Sequence, residues 1–397
     1  MAQLSDRLNR LAPSATLAMS QKSNEMKAQG VDVINMSVGE PDFNTPDHIK
    51  EAGKKAIDDN FSKYSPVPGY MDLREAIVEK LKKENGLDYT TNEVIAGTGG
   101  KQGVCNTILA LVNPGDEVII PAPYWVSYPQ MAKLAGGTPV IVRAGFEQDF
   151  KMTAEQLEAA ITPKTKMLIL CSPSNPTGSV YSQEELNALA EVILKHEDIF
   201  VLSDEIYEHI NYVGKAASIA SYPGMKERTI ICNGVSKAYA MTGWRLGWVA
   251  APAWIVKGIN KLQGQYTSGT CDVSQKAAVA AYLASQDCVE QMRVAFERRR
   301  DLIVKLAKDI PGLEVNVPQG AFYLFPKCSS FFGKSDGETV INNSTDFAMY
   351  ILEKAHVATV GGDAFGDPDC FRMSYATSDD NIREAMRRIK EVLVVLK

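Results

Sequence analysis

A lysine beside a hydroxyl, with an arginine eight positions on among small residues, stands in Gly234-Val235-Ser236-Lys237-Ala238-Tyr239-Ala240-Met241-Thr242-Gly243-Trp244-Arg245-Leu246-Gly247. A lysine amine can condense with an aldehyde to a Schiff base, and a fixed guanidinium can grip a phosphate. An enzyme that holds an aldehyde cofactor by a phosphate needs both parts. A solvated lysine beside a structural arginine is the plainer alternative, so other residues must decide. Asn175, in Ser172-Pro173-Ser174-Asn175-Pro176-Thr177-Gly178, precedes a proline and is kept out of helical geometry, which leaves its amide free for a ligand oxygen or for an ordinary Asx turn. Asp204 ends the apolar run before Glu205-Ile206-Tyr207. An unpaired buried carboxylate is costly, so Asp204 calls for a cation-like partner such as a protonated ring nitrogen, unless it caps a helix. Tyr207 lies one helical turn on and could share that pocket. Gly97-Thr98-Gly99-Gly100-Lys101-Gln102 opens a helix whose free N–H groups suit a phosphate. The spacing fits neither the Walker A nor the G-x-G-x-x-G pattern, and a plain strand-to-helix turn would read the same way.

The elements that must position these residues alternate. Val94-Ile95-Ala96, Val118-Ile119-Ile120, Met167 to Cys171, Ile199 to Ser203 and Thr229 to Cys232 read as short buried strands. Between them lie helices, one expected over Lys101 to Leu111 and two opened by the capping boxes Thr153-Ala154-Glu155-Gln156 and Ser182-Gln183-Glu184-Glu185. Strands alternating with helices predict a mostly parallel sheet covered on both faces, with ligands beyond the carboxyl ends of the strands. The polar residues above fall in those loops. After them come an Arg- and Lys-rich helical stretch from about 273 to 308, a strand-like Gly320 to Phe325, and a closing helix over Asn381 to Leu396. That change of character predicts a second, smaller α+β domain.

Composition narrows the function classes. The net charge of −6 gives no basic footprint for nucleic acid or for an anionic membrane. No apolar run approaches a membrane span, and Met1-Ala2-Gln3-Leu4-Ser5-Asp6-Arg7 lacks the apolar stretch of a signal peptide. The seven cysteines are scattered without a C-x-x-C pair, so neither a disulfide framework nor a zinc site is expected, and four scattered histidines give no metal motif. A cytoplasmic enzyme without a metal is the expectation.

Asn175, Asp204, Tyr207, Lys237 and Arg245, in this order and with their flanking residues, resemble the class I aminotransferases that use pyridoxal 5'-phosphate. The resemblance covers essentially the whole chain. It is closest to the bacterial aspartate aminotransferases, through Pro13-Ser14-Ala15-Thr16, Gly39-Glu40-Pro41-Asp42-Phe43, Lys63-Tyr64-Ser65-Pro66, Pro123-Tyr124-Trp125-Val126-Ser127-Tyr128-Pro129 and Phe371-Arg372-Met373-Ser374-Tyr375-Ala376-Thr377-Ser378.

The resemblance implies roles. Lys237 would carry the cofactor as a Schiff base and then move the substrate's proton. Asp204 would pair with the ring nitrogen, and Asn175 and Tyr207 would bond the ring oxygen. Arg245, Ser236 and the Gly99-Gly100 backbone would hold the phosphate. Trp125 would cover the ring, a core tryptophan being the alternative. Arg372 would clamp the substrate α-carboxylate, with Asn175 beside it and a backbone donor from Gly39. Lys101 would read a distal carboxylate, or else neutralise phosphate. Tyr64 would reach the phosphate of a neighbouring subunit in a homodimer, or else be a surface tyrosine. In one departure from the pattern, Gly234 stands where many relatives carry a serine that touches the phosphate. The implied fold is α/β, the type I fold of pyridoxal-phosphate transferases, with an amino-terminal arm and part of the small domain in residues 1–47, a large domain over 48–290 and the rest of the small domain over 291–397. The implied activity is amino transfer from L-aspartate to 2-oxoglutarate by a ping-pong route. Alternatives are a transaminase for aromatic amino acids or prephenate, a pyridoxal-phosphate lyase or synthase, and a non-catalytic cofactor sensor.

Overall fold

The apolar runs between residues 94 and 250 assemble into one seven-stranded sheet. The computed structural model describes residues 4–397, so whatever in the amino-terminal reading rests on Met1–Gln3 lies outside the described residues. In chain order the strands are β1 (Ile34–Asn35), β2 (Val94–Thr98), β3 (Glu117–Ala122), β4 (Thr138–Arg143), β5 (Thr165–Cys171), β6 (Phe200–Asp204), β7 (Thr229–Gly234), β8 (Leu246–Ala250), β9 (Tyr323–Leu324), β10 (Val357–Ala358), β11 (Val360–Gly361) and β12 (Phe371–Ser374). The large sheet runs β2-β8-β7-β6-β5-β3-β4, with β8 antiparallel to both neighbours and the other pairs parallel.

Strands buried on both faces explain the unbroken apolar runs. In β5, Met167 and Ile169 enter one core layer while Leu168 and Leu170 enter the other, as the two-residue period of a strand requires. Each such side chain, removed from water, contributes roughly 1.5–3 kcal/mol. The helices that cover the sheet start as the sequence predicts. Thr153 and Gln156 close one capping box, and Ser182 and Glu185 another.

The remaining chain forms the α+β part. β1 pairs with β10, and β11, β12 and β9 make a three-stranded antiparallel sheet. The helix Asp379–Leu393 buries Ile382, Ala385, Met386, Ile389 and Leu393 against Phe296, Ile303 and Val304 of the helix Asp287–Lys308. That spacing is one face of a 3.6-residue helix. Ile34 and Met36 from the amino-terminal segment join the same core, as do Tyr207 and Ile210 from the loop after β6.

Three expected elements differ in extent. The stretch 273–308 is two helices, Asp272–Leu283 and Asp287–Lys308, because Ala284 turns extended between them. Gly320–Phe325 pairs only at Tyr323–Leu324, since Ala321 is left-handed at φ 54° and breaks the ladder. The last helix starts earlier and ends at Leu393, with the Ser378 hydroxyl capping Asn381 N–H. Among the described residues no helix is long and apolar enough to cross a membrane.

Candidate active site

Five strands of the large sheet end at one cavity of about 300 Å³. Of the residues singled out from sequence, Gly39, Gly100, Lys101, Trp125, Asn175, Asp204, Tyr207, Ser236, Lys237, Arg245 and Arg372 line it. Gly99 lies directly under Arg245. Tyr64 does not line it and is fully exposed.

Lys237 sits in the turn after β7, where its ammonium donates to the Gly39 carbonyl at 2.6 Å. Burial strips water from the amine and brings its pKa down to about 8; Arg372 and Arg245 push the same way, while Glu40 and Asp204 oppose. A neutral fraction is thus available near neutral pH. Gly39 is required where it stands, because a Cβ would collide with the Tyr323 hydroxyl.

Asp204 closes β6 and is buried. The expected cation is not a protein group. Among the described residues no ion pair reaches Asp204; instead Tyr128 O–H donates to Oδ2 at 2.7 Å, and Ile206 N–H to Oδ1 at 3.3 Å. No helix begins here, so Asp204 is not a helix cap. Burial pushes its carboxyl up to about 6 against these donors and Lys237. Tyr207, in the following turn, meets the Tyr323 hydroxyl at 2.7 Å.

Arg372 comes from β12 and is 2 % exposed. Nη1 donates to Asn175 Oδ1 at 2.8 Å and Nη2 to the Ser37 carbonyl, while Nε has no partner. The Asx-turn alternative for Asn175 therefore fails, since its amide oxygen bonds a side chain from the α+β part. Tyr323 and Phe365 flank the guanidinium with ring centroids 4.6 and 4.9 Å away.

At the other end, Gly99 (φ 78°) turns the chain from β2 into the helix Gly100–Leu111. Arg245, itself left-handed at φ 54°, lays its guanidinium where a side chain on Gly99 would have to go, and donates to the Thr242 carbonyl at 2.7 Å. Arg245, buried Ser236 and the first N–H groups of that helix form an anion seat. Gly234 cannot contribute, because a Cβ there would lie 2.6 Å from Gly247 Cα across the β7–β8 pair. The Lys101 ammonium stands 4.9 Å from the centroid of Trp125, and burial followed by Arg245 lowers its pKa.

Several lining residues were not singled out from sequence. Ser14, Thr16 and Leu17 reach the cavity from the start of the helix Ala15–Ala28, and Glu40, Tyr128 and Tyr323 line it too. Ser14, Thr16, Glu40 and Tyr128 lay inside matched motifs; Tyr323 had no motif to mark it.

The comparisons with known proteins agree with this geometry. The family model for aminotransferase class I and II matches residues 31–389. The chain belongs to that family. A Cereibacter sphaeroides protein named aspartate/prephenate aminotransferase is 50 % identical over 393 residues, covering 98 % of each chain. A bifunctional aspartate aminotransferase and glutamate/aspartate-prephenate aminotransferase of Petunia hybrida is 49 % identical over 399 residues, covering 99 % of this chain and 83 % of that one. The crystal structure of an aspartate aminotransferase from Rhizobium meliloti superposes with a TM-score of 0.97 at 43 % identity over the whole of both chains. That of the Thermus thermophilus aspartate aminotransferase with maleate gives 0.93 at 41 %, covering 99 % of this chain and 100 % of that one.

Pyridoxal phosphate is the cofactor of the family, and this aminotransferase has the donor set for it. The cavity offers an amine at Lys237 for the aldehyde, an anion seat at Arg245 for the phosphate, and a buried carboxylate at Asp204 without a protein cation for the ring nitrogen. A buried anion left in that state fits a cationic ligand atom.

Proposed function

We propose that this aminotransferase moves the amino group of L-aspartate to 2-oxoglutarate. The observation that carries the reading is a pair of cations, Arg372 and Lys101, on the walls of one cavity, the first buried with Nε unpartnered and only two of its five N–H donors engaged. A dicarboxylic acid places one carboxylate on each. The maleate bound by the Thermus relative is such a dicarboxylate, and the curated relatives named above carry aspartate in their names. Those names also favour a second reading, prephenate as an additional amino acceptor, since prephenate too carries two carboxylates.

Bound at this site, the cofactor supplies the aldehyde that takes up the amino group and the protonated ring that draws electron density from the substrate Cα. The protein does the rest. Arg372 fixes the α-carboxylate in a planar two-bond grip, with Asn175 holding the guanidinium. Lys237 Nζ, its pKa near working pH, takes the proton from Cα and delivers it to the other end of the reacting system. Asp204 is the buried carboxylate that would hold a proton on the ring nitrogen. Tyr207 and Asn175 would bond the ring oxygen, Trp125 would cover the ring, and Arg245, Ser236 and the Gly99-Gly100 backbone would anchor the phosphate. We further assign Tyr64 to the phosphate of a second copy in a two-fold dimer, which its full exposure in a single chain supports. A fully active monomer in the ultracentrifuge would remove Tyr64 from the site. The division into segments 1–47, 48–290 and 291–397 is supported at its second boundary, where the helix Asp287–Lys308 passes from one core at Val289 to another at Met292.

Half-reactions test the function. Aspartate and glutamate should each convert the bound cofactor to its amino form, and oxaloacetate, 2-oxoglutarate and, on the second reading, prephenate should convert it back. Faster conversion by alanine or phenylalanine than by aspartate would overturn the dicarboxylate reading.

A further inference from the structure

Tyr128 has no role in the reading above, yet its hydroxyl makes the shortest contact that Asp204 receives. It lies in the first turn of the helix Ser127–Leu134, 2 % exposed, with its ring edge-on to Trp125 at 5.3 Å. Its O–H donates to Asp204 Oδ2 at 2.7 Å.

We propose that Tyr128 is a positioning residue that weakens the basicity of Asp204 and so keeps the shared proton on the cofactor's ring nitrogen. The inference rests on Asp204 being the ring-nitrogen partner. A proton held between a carboxylate and a ring nitrogen resides on the more basic of the two. A donor to the carboxylate stabilises its ionised form and moves the proton toward the ring. The donor here is neutral, which matters as much as its presence. Burial and the neighbouring Asp204 charge raise the Tyr128 phenol well above its ordinary range, so it stays protonated and can only donate to the ionised carboxylate. A lysine or arginine in its place would lower the carboxylate's basicity further but would also neutralise the charge meant for the ligand.

The other groups facing Asp204 do not substitute for Tyr128. Cys171 and Cys232 are its partners on the neighbouring strands β5 and β7, and burial together with Asp204 pushes both thiols up, to about 12 for Cys171, so they stay neutral. Lys237 acts on Asp204 through space and makes its hydrogen bond to Gly39 instead. Ile206 N–H occupies Oδ1 at a longer 3.3 Å. Tyr128 thereby takes one lone pair of Oδ2 and Ile206 one of Oδ1, and each oxygen keeps a second for a ligand.

The test uses the holoenzyme reconstituted with cofactor labelled with ¹⁵N at the ring nitrogen. In Tyr128→Phe the ring resonance should move toward the neutral-pyridine position. kcat should fall by about tenfold or more, the loss of one hydrogen bond to a charged group, while KM for aspartate stays within about twofold. Incorporating 3,5-difluorotyrosine at 128, a stronger donor of the same shape, should move the resonance the opposite way. A packing role alone would change the melting temperature and leave the resonance in place. Asp204→Asn separates the two layers of the argument. If it fails to move the resonance, the assignment of Asp204 to the ring nitrogen is wrong and Tyr128 falls with it. If Asp204→Asn moves the resonance and neither Tyr128 variant does, the Tyr128 proposal alone is overturned.

Discussion

Two buried polar clusters share the segment Ser203–His209 and treat charge in opposite ways. On the cavity side, Asp204 has hydrogen bonds but no counter-ion, Lys237 has only a carbonyl, and Arg372 keeps an N–H without a partner. Four residues on, Glu208 is buried to a similar degree, but it meets the Lys80 ammonium, Asn85 Nδ2 at 2.9 Å and Asn233 Nδ2 at 2.6 Å. Asn233 in turn accepts from Gly234 N–H at 2.7 Å, so this cluster ties the loop bearing Tyr207 to the segment that leads to Lys237. The pKa directions record the contrast. Burial drives Asp204 up to about 6, whereas for Glu208 the same penalty is overcome by Lys80 and the neighbouring donors, which hold it down near 2. Glu84 and His209 stand close enough to Glu208 to resemble a metal set, but Lys80 already supplies the positive charge there. A cluster that closes on itself is structure; one left open is built for something that arrives from outside.

The largest effect should come from the open cluster. Lys237→Ala should fold and bind the cofactor without a covalent link, yet lose at least about a thousandfold in turnover, because one amine is both anchor and base. Near-normal turnover, or borohydride fixing the cofactor to a different lysine, would reject the assignment.

Paired carboxylate substitutions then set the clusters against each other. Glu208→Gln leaves buried Lys80 with only the more distant Glu84, at 3.6 Å, to answer its charge, and should cost about 3 kcal/mol of stability. Asp204→Asn removes a charge that no protein group answers, and should stabilise the cofactor-free protein by on the order of 2 kcal/mol at pH 7 while abolishing most turnover. The pH dependence should have opposite signs. Glu208 contributes stability that is complete above its unfolded pKa and lost as pH falls from about 4.5 toward about 2. Asp204, raised instead, holds a proton longer in the folded state, so its contribution worsens as pH rises from about 4 through about 6. Urea midpoints of wild type and both variants across pH 3–8 decide this; two variants that shift stability in the same direction would dissolve the distinction.

The smallest effect concerns the rim of the cavity. Lys101→Ser removes one charge-assisted contact worth roughly 1.5–3 kcal/mol, so kcat/KM for aspartate and glutamate should drop by about one to two decades with alanine and phenylalanine little changed. Equal losses for acidic and neutral donors would place Lys101 in cofactor binding.

What the sequence showed, and what it hid, divides along the same line. Residues in strand-end loops could be read one at a time, because an Asp closing an apolar run or an Asn before a proline has a local reason to be noticed. The runs of β5, β6 and β7 and both capping boxes were legible for similar reasons, being patterns within a dozen residues. Tyr128 was inside a matched motif without a role, since only the packing of its helix against β3, β4 and the helix Gly100–Leu111 brings the hydroxyl to Asp204, 76 positions away. Nothing local in the sequence marks Lys80 or Glu208, whose burial as a pair depends on packing across 128 positions. Ala321 hid a left-handed residue inside an apolar run, which no hydrophobic pattern can reveal.

The stacked glycines behind the anion seat bear on how this molecule can vary over generations. A Cβ on Gly234 would meet Gly247, and a Cβ on Gly247 would strike the backbone at Gly100. Bare main chain of β7, of β8 and of the start of the helix Gly100–Leu111 therefore lies in contact, and a side chain on Gly234 or Gly247 displaces the next layer. A serine at position 234 is closed to this chain unless the backbone at 246 and 247 shifts with it. The side-chain chemistry of the phosphate end therefore sits at the perimeter, on Ser236 and Arg245, while the centre is fixed as shape by main chain against main chain.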